Sequence, residues 1–142
     1  MAISVRDVLE KSLLAQAEPQ VVAGGAWLDN AVRWAHASER YDVAAFLEGG
    51  ELILVEGSAL FGHLSAAEQE RYIDALADMA VSGLVMELVE GLRQVPDALR
   101  AHAEERGMPL IGLHARVPFI GACQSVNTLI IRDQILLQQR VV

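Results

Sequence analysis

The chain has 142 residues, 53% of them hydrophobic and 21% charged, with 11 Lys+Arg against 19 Asp+Glu. That length holds one core, the apolar content excludes intrinsic disorder, and a formal charge of −8 makes this chain by itself a poor partner for a phosphate backbone. No uncharged apolar run approaches the roughly 20 residues of a membrane span, and the start, Met1-Ala2-Ile3-Ser4-Val5-Arg6-Asp7, lacks a basic segment followed by an apolar one. With a single cysteine, Cys123, these features lead us to expect a cytoplasmic protein without internal disulfides and without membrane contact.

Ser4 caps a first helix that lines up Val5, Val8, Leu9 and Leu13. Pro19 interrupts the chain before a short apolar stretch, Val21-Val22-Ala23, which Gly24-Gly25 ends. Val32–Ser38 reads as a strand, with Val32, Trp34 and His36 on one face and Arg33, Ala35 and Ala37 on the other. A helical piece at Val43–Leu47 stops at Gly49-Gly50. Leu52-Ile53-Leu54-Val55 is an unbroken apolar run, which suits a strand covered on both faces.

Ser65 and Glu68 form a capping box for a long helix that turns Tyr72, Ile73, Leu76, Met79 and Ala80 inward and ends at Gly83. Leu84-Val85-Met86 makes the next buried strand. Pro96-Asp97 opens a helix through Leu99 and Ala103, closed by Gly107 and Pro109, and Leu110–Leu113 is a further apolar strand. Pro118 starts a last helix running from Phe119 to beyond Gln138, with Ile120, Cys123, Val126, Ile130, Leu137 and Val141 as its stripe. The pattern predicts an α/β domain with a mostly parallel sheet flanked by helices. Residues 1–117 are expected to form this α/β domain and residues 118–142 a packing or linking helix. The early stripe, around Phe119, Ile120 and Cys123, is expected to pack on the sheet. The later stripe, with Ile130, Leu137 and Val141, is expected to pair with a second copy or to continue into a longer chain.

Gly57-Ser58-Ala59-Leu60-Phe61-Gly62-His63 has the glycine spacing of a phosphate loop, but His63 stands where the lysine is needed and Leu64 where the magnesium-binding hydroxyl is needed. An ordinary strand-to-helix loop is the reading. His36 and Glu39, and His102 and Glu105, are each three apart; the first pair sits at a strand end, where that spacing splits the faces, and the second lies on a solvated helix face. Neither pair makes a metal site. Ser38, Ser58 and Ser82 lack a nucleophile elbow, and Cys123 lies among apolar helix positions, so no catalytic residue and no cofactor is assigned. Glu56 and Glu87 each end an apolar strand, where open parallel sheets take their ligands. They read either as plain surface groups or, with Glu39 and His114, as the rim of one crevice.

Val32-Arg33-Trp34-Ala35-His36-Ala37-Ser38-Glu39, followed by Phe46-Leu47-Glu48-Gly49-Gly50-Glu51-Leu52, resembles the amino-terminal domain of the purine catabolism regulator (PucR) family. Ser4-Val5-Arg6-Asp7-Val8-Leu9, Val22-Ala23-Gly24, Gly57, Pro96, Pro109-Leu110 and Val117-Pro118-Phe119 extend the match over nearly the whole chain. The resemblance implies a bacterial transcriptional regulator of catabolic genes, with a small-molecule effector bound here and DNA bound only by a helix-turn-helix domain outside this chain. It implies a non-enzymatic sensor, and with the strand-end reading we expect His36, Ser38, Glu39, Glu56, Gly57, Glu87 and His114 to meet the ligand. The element order is also similar to the substrate-holding amino-terminal domain of Mur ligases, and a pure oligomerisation module is a third reading. Three positions depart from the family: Val55 and Glu56 stand where two threonines are usual, and Glu87 where a basic residue is common. The added carboxylates disfavour an acidic ligand such as allantoate and favour a neutral, amine-bearing or metal-associated one.

Overall fold

The computed structural model describes residues 2–140; Val141, assigned above to the apolar stripe, lies outside them. Five strands form one sheet in the order β1-β5-β4-β3-β2: β1 Pro19–Ala23, β2 Trp34–Ala37, β3 Glu51–Glu56, β4 Gly83–Glu87 and β5 Leu110–Leu113. Strands β2 to β5 run parallel, and β1 joins β5 antiparallel at the edge. The helices are α1 Val5–Lys11, α2 Gly57–Phe61, α3 Ala66–Asp78, α4 Asp97–Glu105 and α5 Phe119–Arg140. The expected fold class is the observed one.

Both faces of the sheet are covered, which is why β3, β4 and β5 read as unbroken apolar runs. On one face Ile53, Val55, Leu84, Met86 and Leu110 pack with Tyr72, Ile73 and Leu76 of α3 and Leu99 and Ala103 of α4. On the other, Leu52, Leu54, Val85, Ile111 and Leu113 pack with Val5 and Val8 of α1 and Ala122, Val126 and Ile130 of α5. The period-two alternation of each strand therefore feeds two cores.

Several local expectations are corrected. Val21-Val22-Ala23 belongs to β1, a strand short enough that periodicity cannot signal it; Pro19 opens that edge strand, a position that tolerates its missing N–H. Gly24 then turns at φ +69, and a Cβ there would lie 2.1 Å from the Met108 carbonyl oxygen, so no larger residue fits. The first helix ends at Lys11, and Leu13 starts a separate 3-10 turn, Leu13–Ala17. The Ser65–Glu68 capping box holds, but α3 stops at Asp78: Ala80 is exposed at φ +55, and Gly83 opens β4 rather than ending the helix. In β2 it is Ala35 that is buried, with Trp34 and His36 facing outward.

Helix α5 lies against β2. Asn127 binds both backbone groups of Ala35, accepting from its N–H at 2.7 Å and donating to its carbonyl at 3.2 Å. The open edge of β2 is thereby occupied by a side chain instead of a further strand. Ile120 does not pack on the sheet but is 87% exposed, whereas Ile130, expected to be free for a partner, is 4% exposed in the chain's own core. Toward its far end α5 also leaves Ile131, Ile135, Leu136 and Leu137 outside.

Candidate functional site

Strands β3 and β4 end in register at Glu56 and Glu87. Residues 52, 54 and 85 feed the core under α5, so by alternation Glu56 and Glu87 turn toward that same side. There an open cleft of about 460 Å³ is lined by Glu39, Glu56, Glu87, Glu90, Arg116, Val117, Pro118 and Phe119. The strand ends supply one wall, and the segment that starts α5 supplies the other. Its size is within the range of small-molecule sites, and its place is the carboxyl end of a parallel sheet.

The electrostatics are lopsided. Glu87 is only 9% exposed, and burial pushes its carboxyl above the ordinary range; Arg116 opposes this, while Glu56 and Glu90 reinforce it. The guanidinium of Arg116 is 3.8 Å from Glu87 and 3.2 Å from Glu90. Glu39 accepts a long 3.3 Å hydrogen bond from the Glu56 N–H, which brings the end of β2 to the end of β3. Four carboxylates thus face one guanidinium, a setting that attracts positive charge.

Gly57 follows at the base of this wall. No loop intervenes between strand and helix: α2 begins at Gly57 itself. A Cβ there would lie 2.7 Å from the Glu87 carbonyl oxygen, so glycine permits β3 and β4 to end side by side.

Of the residues singled out from the sequence, Glu39, Glu56 and Glu87 meet in the cleft, and the others do not line it. Ser38 accepts from the Arg40 N–H at 3.2 Å and shapes the turn after β2. His36 lines a separate groove with Trp34, Phe46, Leu47, Glu48 and Glu51. His114 is held 2.8 Å from Gln20 of β1, a contact that draws it toward the opposite edge of the sheet and corrects the expected shared rim. His102 is not on a merely solvated face: it contacts Asp74 at 2.7 Å, and Arg106 binds Asp74 and Asp78, pinning α4 to α3. No group of three or more metal-ligating side chains occurs among the described residues.

Glu90, Arg116 and Phe119 were missed. Glu90 and Arg116 lie in connections, where no periodicity marks a side chain's direction. Phe119 was assigned to helix packing only.

The fold has a solved counterpart. A solved structure with the same fold, the CBS and DRTGG domains of the regulatory region of a Clostridium perfringens pyrophosphatase complexed with an activator, diadenosine tetraphosphate, is 11% identical with a TM-score of 0.55, over 87% of this chain and 46% of that one. The sequence narrows the class. Residues 7–130 match the profile of the purine catabolism regulatory protein-like family, PucR, and the chain belongs to that family. It is also 28% identical over 124 residues to the transcriptional activator PmfR of Paenarthrobacter nicotinovorans, covering 87% of this chain. The chain spans about a quarter of that relative's length, 25%.

Proposed function

We propose that this domain senses a small metabolite for a transcriptional regulator of catabolic genes, and that it does no chemistry on the molecule it binds. The carrying observation is the cleft itself: one wall is the strand-end carboxylates Glu39, Glu56 and Glu87, and the other is Arg116–Phe119, the start of α5. A ligand between them touches the helix whose far end leaves Ile131, Ile135, Leu136 and Leu137 exposed. A helix moves as a rigid rod, so occupancy at one end becomes displacement at the other. Membership of a regulator family and the activator-bound state of the pyrophosphatase fragment support this reading.

The ligand is amine-bearing or otherwise cationic. Glu87 stands buried beside Glu56 with incomplete compensation from Arg116, and a bound ammonium would complete it. The exposed end of α5 pairs with a second copy, since burying a Leu or Ile side chain yields roughly 1.5–3 kcal/mol. DNA contact belongs to a separate domain, because a charge of −8 opposes it here.

A thermal-shift screen of amines against carboxylates tests the reading. An amine at a hundredfold its dissociation constant adds about 2.7 kcal/mol of stability, which for a chain of this size is roughly 5–10 °C in Tm. Stabilisation by carboxylates alone would contradict it.

A further inference from the structure

The described residues contain one buried side-chain polar atom without a hydrogen-bond partner, the hydroxyl of Tyr72. Tyr72 lies on α3, 1% exposed, its ring edge-on to Phe61 at 5.2 Å and tilted against Tyr41 at 6.2 Å. Phenylalanine would fill the same space without the desolvation cost of an unpaired hydroxyl, so packing does not account for the oxygen.

What lies over Tyr72 is the connection that leads from the cleft. Tyr41, stacked against it, is two residues past Glu39, and the Tyr41 hydroxyl donates to the Glu68 carbonyl in the first turn of α3. The Glu39–Tyr41 segment is therefore anchored beside the Tyr72 ring. The charge of Glu39 acts on Tyr72, adding to burial in holding its phenol far above the ordinary range. Among the described residues, the Glu39 side chain is bound only by the Glu56 N–H, at 3.3 Å. An orphan donor thus lies beneath the segment whose start carries a loosely held acceptor.

We propose that Tyr72 is a positioning residue for the cleft: its hydroxyl is a second anchor for the Glu39 carboxylate, which alternates between the Glu56 amide and Tyr72. With Glu39 on the Glu56 amide, the cleft carries its full negative wall; with Glu39 on Tyr72, that wall loses one charge. The inference rests on the sensing role proposed for the cleft, but the pairing of the two residues stands or falls without any ligand. Charge-assisted hydrogen bonds of this kind are the stronger ones, and a phenol is a suitable donor to a carboxylate.

A double-mutant cycle on urea unfolding tests it, with Tyr72→Phe, Glu39→Gln and the double variant. Both changes preserve shape. If the hydroxyl anchors Glu39, the effects on the unfolding constant are coupled by about fivefold or more, within the range seen for interacting neighbours. The Tyr72 hydroxyl proton, observed by NMR in the wild type, would also shift upfield in Glu39→Gln. Additive single effects, with a hydroxyl resonance indifferent to Glu39, would overturn the proposal and leave an internal water as the partner of Tyr72. Failure of amines to bind would instead count against the sensing role, so the two failures are separable.

Discussion

Replacing Asn127 tests whether α5 is fastened to the sheet by the contact that also closes its edge. Ala35 is 3% exposed, and Asn127 serves both its N–H and its carbonyl, at 2.7 and 3.2 Å. Asn127→Leu keeps the branched shape and removes both partners, leaving two backbone groups to find others. Each orphaned group costs about 1–3 kcal/mol, less where water reaches the strand edge, so the expected loss is roughly 2–4 kcal/mol. That corresponds to a fall in Tm of roughly 5–15 °C. Asn127→Asp retains the acceptor for the Ala35 N–H but not the donor, and should lose about half as much. Urea denaturation of the three proteins measures this directly. The leucine variant should also associate more readily at its freed strand edge, seen as light scattering at high concentration. A loss below about 0.5 kcal/mol for Asn127→Leu, the size of an ordinary surface change, would refute the reasoning.

Glu87 gives a pH signature. Its carboxyl is raised in the folded state by burial foremost, so the folded protein holds that proton more tightly than the unfolded chain does. The group costs nothing in acid and destabilises progressively as pH rises from its unfolded pKa through its folded one. Glu87→Gln should therefore gain stability relative to the wild type as pH rises above about 4; a pH-independent difference in urea midpoints would contradict this. Gly57→Ala should cost roughly 1–3 kcal/mol by forcing a Cβ against the Glu87 carbonyl, read from the same unfolding curves. Ile130→Ala should cost about 2–5 kcal/mol as a cavity in the core. Ile131→Asp with Leu136→Asp should instead yield monomers in sedimentation equilibrium that still unfold cooperatively, with a midpoint that no longer rises with protein concentration.

The fold was legible where burial is symmetrical. Leu52–Val55, Leu84–Met86 and Leu110–Leu113 announced covered parallel strands because both of their faces meet apolar layers. Strand β1 was not legible, since its partner across the sheet is β5, some ninety residues away, and pairing of that kind leaves no local periodicity. In the site, Glu56 and Glu87 could be found because strand ends fix both position and direction. His36 and His114 could not be placed by the same reasoning. His36 sits on the outward face of β2, and His114 is drawn to Gln20 by a contact that only the tertiary fold creates. Along α5 the stripe was identified, but which turns lie over the sheet depends on where the helix crosses β2. That crossing buries Ile130 and leaves Ile131 outside.

The most direct test of the account is calorimetric titration of an amine identified by thermal shift into the wild type and into a Glu56→Thr, Glu87→Gln variant. Glutamine is the right change at position 87, because a lysine would place a buried ammonium against Arg116, now 3.8 Å from the carboxylate. The two substitutions remove two of the four cleft carboxylates without touching either core. The account predicts that the amine binds at least about tenfold more weakly, a loss of roughly 1.4 kcal/mol, and that uncharged or acidic analogues gain relative to it. Equal affinity for the amine in both proteins would place the ligand elsewhere and contradict the assignment of this cleft.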